Sequence, residues 1–593
     1  MVPSSEYAER LATRRAWVAR HQRLHIRAGN ARLVVAVAAA WLAWAAFFKG
    51  SLSGWWLLGP LAAFFALLVF HDRILRNREL AARAVRYYER GLARIEDRWT
   101  GTGEPGHRFH DPAHPYAEDL DLFGKGGLFE LLCTARTRAG EDTLASWLLE
   151  SAKPETVLER QAAVAELQSK LDLREDLALL GEDVRTSGDP KALIAWAESP
   201  PVLVQGTART AAFALSLAML ICASYWQWAS SPLSRVLLLC MLAINGAFGL
   251  AFRRRVLTVA FRVEDAQRDL SLLSKILARL ERERFTSLRL TQLRTALEST
   301  PEASRRIARL NRRMELLDSR DHWIMRIIGP PLLYATHLCF AIEAWRSDSG
   351  PHVRRWIEAA GEFEALSALA GYAYEHPQDP FPEVSTAEAC FEAEGLGHPL
   401  LPASRCVRND LKLGGELRLL VVSGSNMSGK STLLRSVGVS AVMAMAGAPV
   451  RARRLRISSL CVGASIRSTD SLQDGTSRFY AEITRLRKLV DLAAAGSLLF
   501  LIDELLNGTN SHDRQIGAEA VVRGLVNRGA MGLVTTHDLA LTQIATAMEP
   551  RGSNVHFEDH LEDGKITFDY LMRPGVVKKS NALELMRSVG LDI

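Results

Sequence analysis

The sequence predicts a multidomain chain in which α-helical membrane hairpins and an α-helical domain precede a C-terminal α/β P-loop domain. Three observations predict it. Four uncharged apolar runs of 16–17 residues lie in the first half of the chain, in two close pairs. Between and after them, apolar residues recur at the i, i+3, i+4 spacing of helices. From Leu419 the pattern changes to short β-rich runs, the first leading into the glycine-containing stretch GSNMSGKST at 424–432. At 593 residues the chain is too long for one core, and three or four domains are expected.

Bulk properties agree with this layout. A hydrophobic content of 48% and a mean hydropathy near zero are high for a soluble protein and point to membrane segments. The net charge of +7 suits anionic partners, whether nucleic acid, nucleotide or anionic lipid, without choosing among them. Seven cysteines carry no C-x-x-C spacing, so neither a zinc site nor a disulfide framework is expected, and reduced buried thiols are.

In chain order, residues 1–32 hold seven arginines (Arg10, Arg14, Arg15, Arg20, Arg23, Arg27 and Arg32) against two glutamates. The apolar runs Leu33–Phe48 and Trp55–Phe70 follow, and basic residues resume at Arg73, Arg76 and Arg78. A second pair, Thr210–Trp226 and Val236–Phe252, closes on Arg253, Arg254 and Arg255. Each run falls slightly short of the roughly 20 residues that cross a bilayer straight. Trp55, Trp56, Trp226 and Trp228 can sit in the interface and make up the difference. Four buried core helices are the alternative. Arginine asymmetry favours hairpins, because both ends of each pair are basic and each turn is nearly neutral. The positive-inside rule then places the N-terminus, residues 71–209 and the C-terminal half in the cytosol, on a multi-pass cytoplasmic-membrane protein. A cleaved signal peptide fits poorly, since the basic leader is long and more apolar hairpin follows.

From Asp119 to Leu180 the pattern is helical, and 256–320 is an arginine-rich helical region. Leu270, Leu273, Ile276, Leu277 and Leu280 mark an apolar stripe in it. Arg305, Arg306, Arg309, Arg312 and Arg313 recur around Ile307, Leu310 and Met314. A solvated basic face, or one near anionic lipid, is preferred there over a track for DNA phosphates. Residues 324–345 are apolar but interrupted by Arg326, Pro330, Pro331, His337 and Glu343, which predicts a packed core helix and not a fifth span. Pro377, Pro380 and Pro382 mark a boundary.

The last third carries the chemistry. The run Leu419–Val422, the loop Gly424, Ser425, Asn426, Met427, Ser428 and Gly429, and then Lys430, Ser431 and Thr432 opening a helix, fit G-x-x-x-x-G-K-[ST] in its strand–loop–helix setting. Glycines let backbone N–H groups close around a phosphate, and the helix N-terminus adds partial positive charge. Lys430 would reach the β- and γ-phosphate oxygens of ATP, and the Ser431 hydroxyl would ligate Mg²⁺. A chance Gly/Ser turn is the alternative, and the setting argues against it. Leu498–Ile502 reads as a buried strand ending in Asp503 and Glu504. There Asp503 would hold Mg²⁺ and Glu504 would activate the attacking water. A further strand, Gly532–Thr535, ends near His537, which would point into the crevice at the strand ends.

These segments resemble the MutS family. GSNMSGKSTLLR is similar to its G-P-N-M-x-G-K-S-T loop, with Ser425 in place of proline. TDSLQDGTSRFYAEI resembles D-D-L-x-x-G-x-S-T-F-x-x-E-M, keeping Asp470, Leu472, Gly475, Ser477, Phe479 and Glu482. LLFLIDELLNGTNSHD resembles L-L-D-E-I-G-R-G-T-S-T-x-D, keeping Asp503, Glu504, Gly508, Thr509 and Asp513. AMAGAPVRARRLRI, His398–Leu401 and the terminal LMRPGVVKKSNALELMRSVGL also look like family segments, so the likeness covers most of 385–593. Upstream, Thr137, Gly140, Trp147, Leu148, Arg160, Gln161, Val164 and Leu167 resemble the family's helical core, although helical packing alone would explain them. The resemblance implies an ABC-type ATPase that forms a head-to-tail homodimer, in which Ser477 of one subunit completes the ATP site of the other and nucleotide state moves a helical clamp. The implied layout is 1–80 (basic N-terminus and first hairpin), 81–205 (helical MutS-like core), 206–256 (second hairpin), 257–384 (helical lever) and 385–593 (ATPase domain). The departures are equally specific. A hairpin stands where a mismatch-reading domain with a Phe-x-Glu wedge would be expected, and the second hairpin stands where the family inserts its DNA clamp. Arg478 replaces a threonine, and Leu506-Asn507 replace Gly-Arg.

The expected function is a membrane-anchored MutS-like ATPase that uses ATP and Mg²⁺, with the lipid bilayer and a second copy as partners and double-stranded DNA as a candidate one. The alternatives are a mismatched-DNA-binding repair protein and a nucleotide-gated membrane scaffold with little turnover. A fused exporter fits poorly, since four short spans are few and no L-S-G-G-Q stretch occurs.

Overall fold

The first two apolar runs lie almost entirely inside helices far longer than themselves. In the computed structural model, helices Pro3–Phe47 and Leu58–Ile95 span 45 and 38 residues. At 1.5 Å per residue the first is about 68 Å long, twice the ~30 Å hydrocarbon thickness of a bilayer. The two pair antiparallel: Arg15 meets Glu89 at 2.8 Å, Arg78 donates to Gln22 at 2.7 Å, and the His25 and His71 rings stand 4.7 Å apart. The result is an apolar tip on a charged two-helix stem. The structure describes residues 2–180, 189–203, 206–229, 231–298, 303–467, 478–506, 510–562 and 565–577. It falls into two compact units, Met1–Leu132 with Gly371–Ile593, and Cys133–Ala370.

In the first unit the base of the stem is tied to residues 374–375. Tyr7 and Tyr88 are buried, and the Tyr7 ring lies 5.4 Å from those of Tyr88 and Tyr374. Glu375 accepts from Arg94 Nε at 2.6 Å and Nη2 at 2.5 Å, and from the Tyr7 hydroxyl at 3.3 Å. An ion pair this deeply buried needs such bidentate geometry to offset desolvation.

Among the described residues the α/β part of this unit has ten strands: β1 (Glu383–Ser385), β2 (Cys390–Leu396), β3 (Asn409–Gly414), β4 (Leu419–Ser423), β5 (Arg454–Ser458), β6 (Cys461–Ser465), β7 (Leu498–Ile502), β8 (Met531–Thr536), β9 (Gly552–Glu562) and β10 (Lys565–Pro574). A small mixed sheet has the order β1-β5-β2-β3, and the main sheet β10-β9-β4-β8-β7-β6. In the main sheet β9, β4, β8, β7 and β6 are parallel, and β10 is antiparallel to β9. Every residue of β4, β7 and β8 is buried, which explains why they lack polar alternation and carry hydroxyl side chains only at their C-terminal ends: a parallel strand covered on both faces has no polar side to alternate with. The C-terminal ends of β4 and β8 are level, Ser423 pairing with Thr536, so their following loops share one edge of the sheet. Residues 115–122 clip onto this sheet. Pro115 O accepts from Ala464 N at 2.9 Å, Asp119 accepts from the N–H groups of Ile466 and Arg467 at 2.9 and 2.6 Å, and Leu120 and Leu122 are fully buried.

The regular secondary structure among the second unit's described residues is all helical. Thr137 caps the helix Arg138–Leu149, its Oγ1 accepting from Gly140 N at 3.1 Å. Trp147 lies under the Arg160 guanidinium at 3.9 Å. Helices Thr207–Ala229 and Pro232–Glu281 form the second hairpin, and the stripe Leu270, Leu273, Ile276, Leu277 and Leu280 is buried as its spacing predicts. On the helix Ala303–Asp318, Ile307, Leu310 and Met314 face inward, while Arg305, Arg309 and Arg312 are exposed.

Residues 324–345 differ from expectation. Instead of one packed helix, a short exposed helix, Trp323–Ile328, is followed by a break at Gly329–Leu333 and then the long helix Tyr334–Glu375. Gly329-Pro330-Pro331 explains the break, since two prolines remove donors and clash with the preceding turn. Only the second part is packed, with Cys339, Phe340 and Ile342 buried.

Candidate active site

The C-terminal ends of β4, β7 and β8 collect the predicted residues that the structure describes. After β4 the chain turns through Gly424 at φ +151°, Met427 at φ +69° and Gly429 at φ +105°, and enters the helix Lys430–Ala446. Gly429 is required twice over. Its φ is left-handed, and a Cβ there would stand 3.1 Å from the Tyr570 ring. Asn426 and Met427 are exposed at the loop's crest, Ser425, Gly429 and Ser431 are half-buried, Ser428 is buried, and Thr432 is exposed in the first helical turn.

Lys430 is buried, and its Nζ donates to the carbonyls of Gly424 at 2.9 Å and Ser425 at 2.8 Å. Burial pushes its ammonium below the usual lysine range, against the opposing pull of Glu504 and Asp503. The loop therefore closes around its own lysine, a cation held by two weak neutral acceptors. A phosphate is the stronger acceptor for that ammonium. Two further groups face the same need: Ser425 Oγ and Ser428 Oγ are buried and make no hydrogen bond among the described residues. The first-turn N–H groups of a helix also lack intrahelical acceptors, which makes this end an anion cradle. These features fit a polyphosphate. The Ser431 hydroxyl and the Asp503 carboxylate supply the hard oxygen ligands that Mg²⁺ takes.

Asp503 and Glu504 follow β7 directly, and both are half-buried. Asp503 N donates to Ser465 O at 2.9 Å, tying the pair to β6. Glu504 adopts a left-handed φ of +52°, so the chain leaves the extended conformation of the strand at this residue. Its partner is His537, just beyond β8, whose Nδ1 lies 3.4 Å from Glu504 Oε1. His537 is exposed, so the pair stands at the open side of the crevice. Ser477 lies outside the described residues, as do Gly508 and Thr509.

Two residues that the sequence did not single out complete the arrangement. Thr535 is fully buried; its Oγ1 accepts from Glu504 N at 3.0 Å and donates to Asp503 Oδ1, so one hydroxyl holds both carboxylate residues to β8. Tyr570 sits in the irregular part of the β9–β10 ladder, with Asn409 Nδ2 donating to its carbonyl at 3.0 Å and Met572 N donating to Asn409 Oδ1 at 2.7 Å. Its ring is 43% exposed and borders Gly429, an open aromatic face at the rim of the loop. The only signal for Thr535 is a hydroxyl at the end of a strand; for Tyr570 the sequence offers none.

Residues 420–592 match the sequence model of MutS domain V. Among curated proteins the chain is similar to the DNA mismatch repair protein MutS of Geobacillus thermodenitrificans, 32% identical over 41% of this chain and 27% of that protein. It is also similar to the Endonuclease MutS2 of Thermus thermophilus, 35% identical over 33% of this chain and 25% of that protein. A third relative is the DNA mismatch repair protein MutS 2 of Haloarcula marismortui, 35% identical over 33% of this chain and 21% of that protein. The chain thus spans about a quarter of the length of the curated relatives it matches. Over its C-terminal domain, and over that part alone, the chain belongs to the MutS family.

Proposed function

We infer that this protein is a membrane-anchored ATPase that binds ATP with Mg²⁺ in its C-terminal domain and uses hydrolysis to switch its helical parts. The observation that carries the reading is the convergence of a glycine loop with a buried, anion-seeking lysine and the Asp503–Glu504–His537 cluster on one edge of a parallel sheet. Lys430, Ser428 and the loop N–H groups would bind the phosphates, and the Tyr570 face offers a stacking surface for a base. Mg²⁺, when bound to Ser431 and Asp503, supplies charge neutralisation on the phosphates. Glu504 orients a water and accepts its proton, and His537, with Nδ1 3.4 Å from Glu504 Oε1, positions that carboxylate. The family resemblance supports a homodimer in which the partner subunit completes the site through Ser477. It also supports DNA as a candidate for what the helices hold.

Anchoring rests on the four helices Pro3–Phe47, Gly54–Ile95, Thr207–Ala229 and Pro232–Arg262, each long and apolar enough to cross a membrane. Their most apolar windows are at most 11% buried. That is the wrong environment for water and the right one for lipid. With both arginine-rich ends on the inner side of a cytoplasmic membrane, the nucleotide site faces cytosolic ATP.

The test is ATP turnover by the purified full chain in detergent, with Glu504→Gln beside it. Wild type is expected to turn over, and Glu504→Gln to lose at least about 100-fold in rate while still binding ATP. Equal slow rates with tight binding would identify a nucleotide-gated scaffold instead. Mismatch-preferring, steeply salt-dependent duplex binding would identify a repair protein proper.

A further inference from the structure

Between the basic helix Ala303–Asp318 and the long helix Tyr334–Glu375, the second unit carries an apolar surface that its described residues leave open. On the short helix Trp323–Ile328, Trp323 is 74% exposed, Ile324 43%, Ile327 67% and Ile328 49%. Four large apolar side chains in six residues make a contiguous patch, which a water-facing surface rarely keeps.

The backbone that follows shows what this patch adjoins. Asn245 Nδ2 donates to Pro331 O at 2.7 Å, and Ser216 Oγ donates to Leu332 O at 2.9 Å. A Cβ at Gly249 would stand 3.6 Å from Leu333 Cδ2. Ser216, Asn245 and Gly249 all lie within the apolar runs of the second hairpin. Asn245 is fully buried and stands eight residues from Arg253, about 12 Å along the helix. At that depth in hydrocarbon a polar side chain must find its partners in protein. Asn245 finds them in the carbonyls of Pro331 and Leu215, and Ser216 finds its acceptor in the carbonyl of Leu332; 331 and 332 lie outside any helix. The far end of the arrangement is basic. Arg313 donates to Ala341 O at 2.8 Å, and Cys339 Sγ lies 3.7 Å from Val256 O, so the arginine-bearing helix ends near the level of Arg253–Arg255.

We propose that residues 323–333 are a fifth membrane-contacting element: an interfacial helix, Trp323–Ile328, lying at the boundary of headgroups and acyl chains, with a turn at 329–333 that dips against the second hairpin. The occupant of its open face is lipid. The patch is continuous, through the Ser216 and Asn245 bonds, with helices that expose Phe213, Leu217, Ile244 and Leu250; exposed Arg326 lies on the short helix itself, and exposed Arg253–Arg255 close the hairpin's apolar run, charge complementary to anionic headgroups. The proposal rests on the reading that the second hairpin enters a bilayer.

The experiment uses the intact protein reconstituted into vesicles of phosphatidylcholine and phosphatidylglycerol that contain a lipid with a photoreactive diazirine on its acyl chain. After irradiation and trypsin digestion, peptide 321–326 is compared with the hairpin peptides 210–235 and 236–253. Peptide 321–326 is expected to carry lipid adduct within about threefold of the 236–253 level, and Asn245→Leu, which releases the 331–333 turn, to reduce its labelling several-fold while leaving 236–253 unchanged. Labelled hairpin peptides beside an unlabelled 321–326 would overturn the fifth element and leave the anchored reading intact. Unlabelled hairpin peptides would sink both. A crosslink from 321–326 to a second copy of the chain in place of lipid would also overturn the proposal, by assigning the face to self-association.

Discussion

Thr535 shows how much of a candidate site can hang on one hydroxyl. It links Glu504 N to Asp503 Oδ1, and valine would keep its shape while removing both bonds. Thr535→Val is expected to lower steady-state ATP turnover about tenfold, roughly 1.4 kcal/mol of barrier, with nucleotide affinity within about twofold of wild type. Thr535→Ser should restore the rate. Unchanged turnover in the valine variant would show that the carboxylates need no such indexing. The sequence could not reveal this residue, because a threonine in LVTT is what β-propensity alone would place there. Lys430, Asp503, Glu504 and His537 were legible for the opposite reason: their residue types and spacings serve phosphate chemistry and little else. Tyr570 was illegible because its position depends on the irregularity between Phe568 and Met572, which no periodicity announces.

At the level of elements, Glu364 joins two helices of the second unit. Its carboxylate accepts from Arg136 N at 3.1 Å, from Thr137 N at 3.2 Å and from Thr137 Oγ1, so the long helix Tyr334–Glu375 holds the N-terminus of Arg138–Leu149. Burial pushes this carboxyl up to about 7 against those donors. The folded state then binds the proton more tightly than the unfolded chain. Its stabilising contribution is complete below about pH 4.5 and is lost as pH rises through about 7, an upper limit of roughly 3 kcal/mol. Glu364→Gln should flatten that slope, read by hydrogen exchange in Arg138–Leu149 between pH 5 and 8. Glu364→Ala should destabilise this helix at every pH by about 2–4 kcal/mol, since two buried N–H groups lose their acceptor. A slope that survives in the glutamine variant would locate the titration elsewhere. The T-x-x-G pattern was visible in the sequence, and its meaning, a capped helix start, follows from Thr137 accepting from Gly140 N. Helix length was less visible. Hydropathy marks runs of 16–17 residues, whereas arginine, alanine, leucine and glutamate on either side continue the same helices, being good helix formers whatever their polarity.

For the molecule as a whole, the exposed apolar tips decide how it partitions. Trp41 is 60% exposed, Phe47 73%, Phe65 58% and Leu239 64%, and no salt or pH change removes the cost of holding such side chains in water. Membranes washed with alkaline carbonate are expected to keep the full-length protein in the pellet, and detergent to release it. Recovery in the carbonate supernatant would mean that the hairpins pack on protein. The sequence showed these tips but not the grip at their base, since Tyr7, Tyr88, Arg94 and Glu375 are scattered over the chain and meet only in three dimensions. That grip has a mechanical consequence. A rigid pair of helices clamped by Arg94, Glu375 and three tyrosines at one end is an arm with a fulcrum. From Tyr7 to Leu33 the arm is about 39 Å, so a swing of about 5° at the fulcrum carries the tip sideways by roughly 3 Å. Small rearrangements near 374–375 are thereby magnified where the arm meets its surroundings, and lateral force on the tip returns to the same fulcrum with the same leverage.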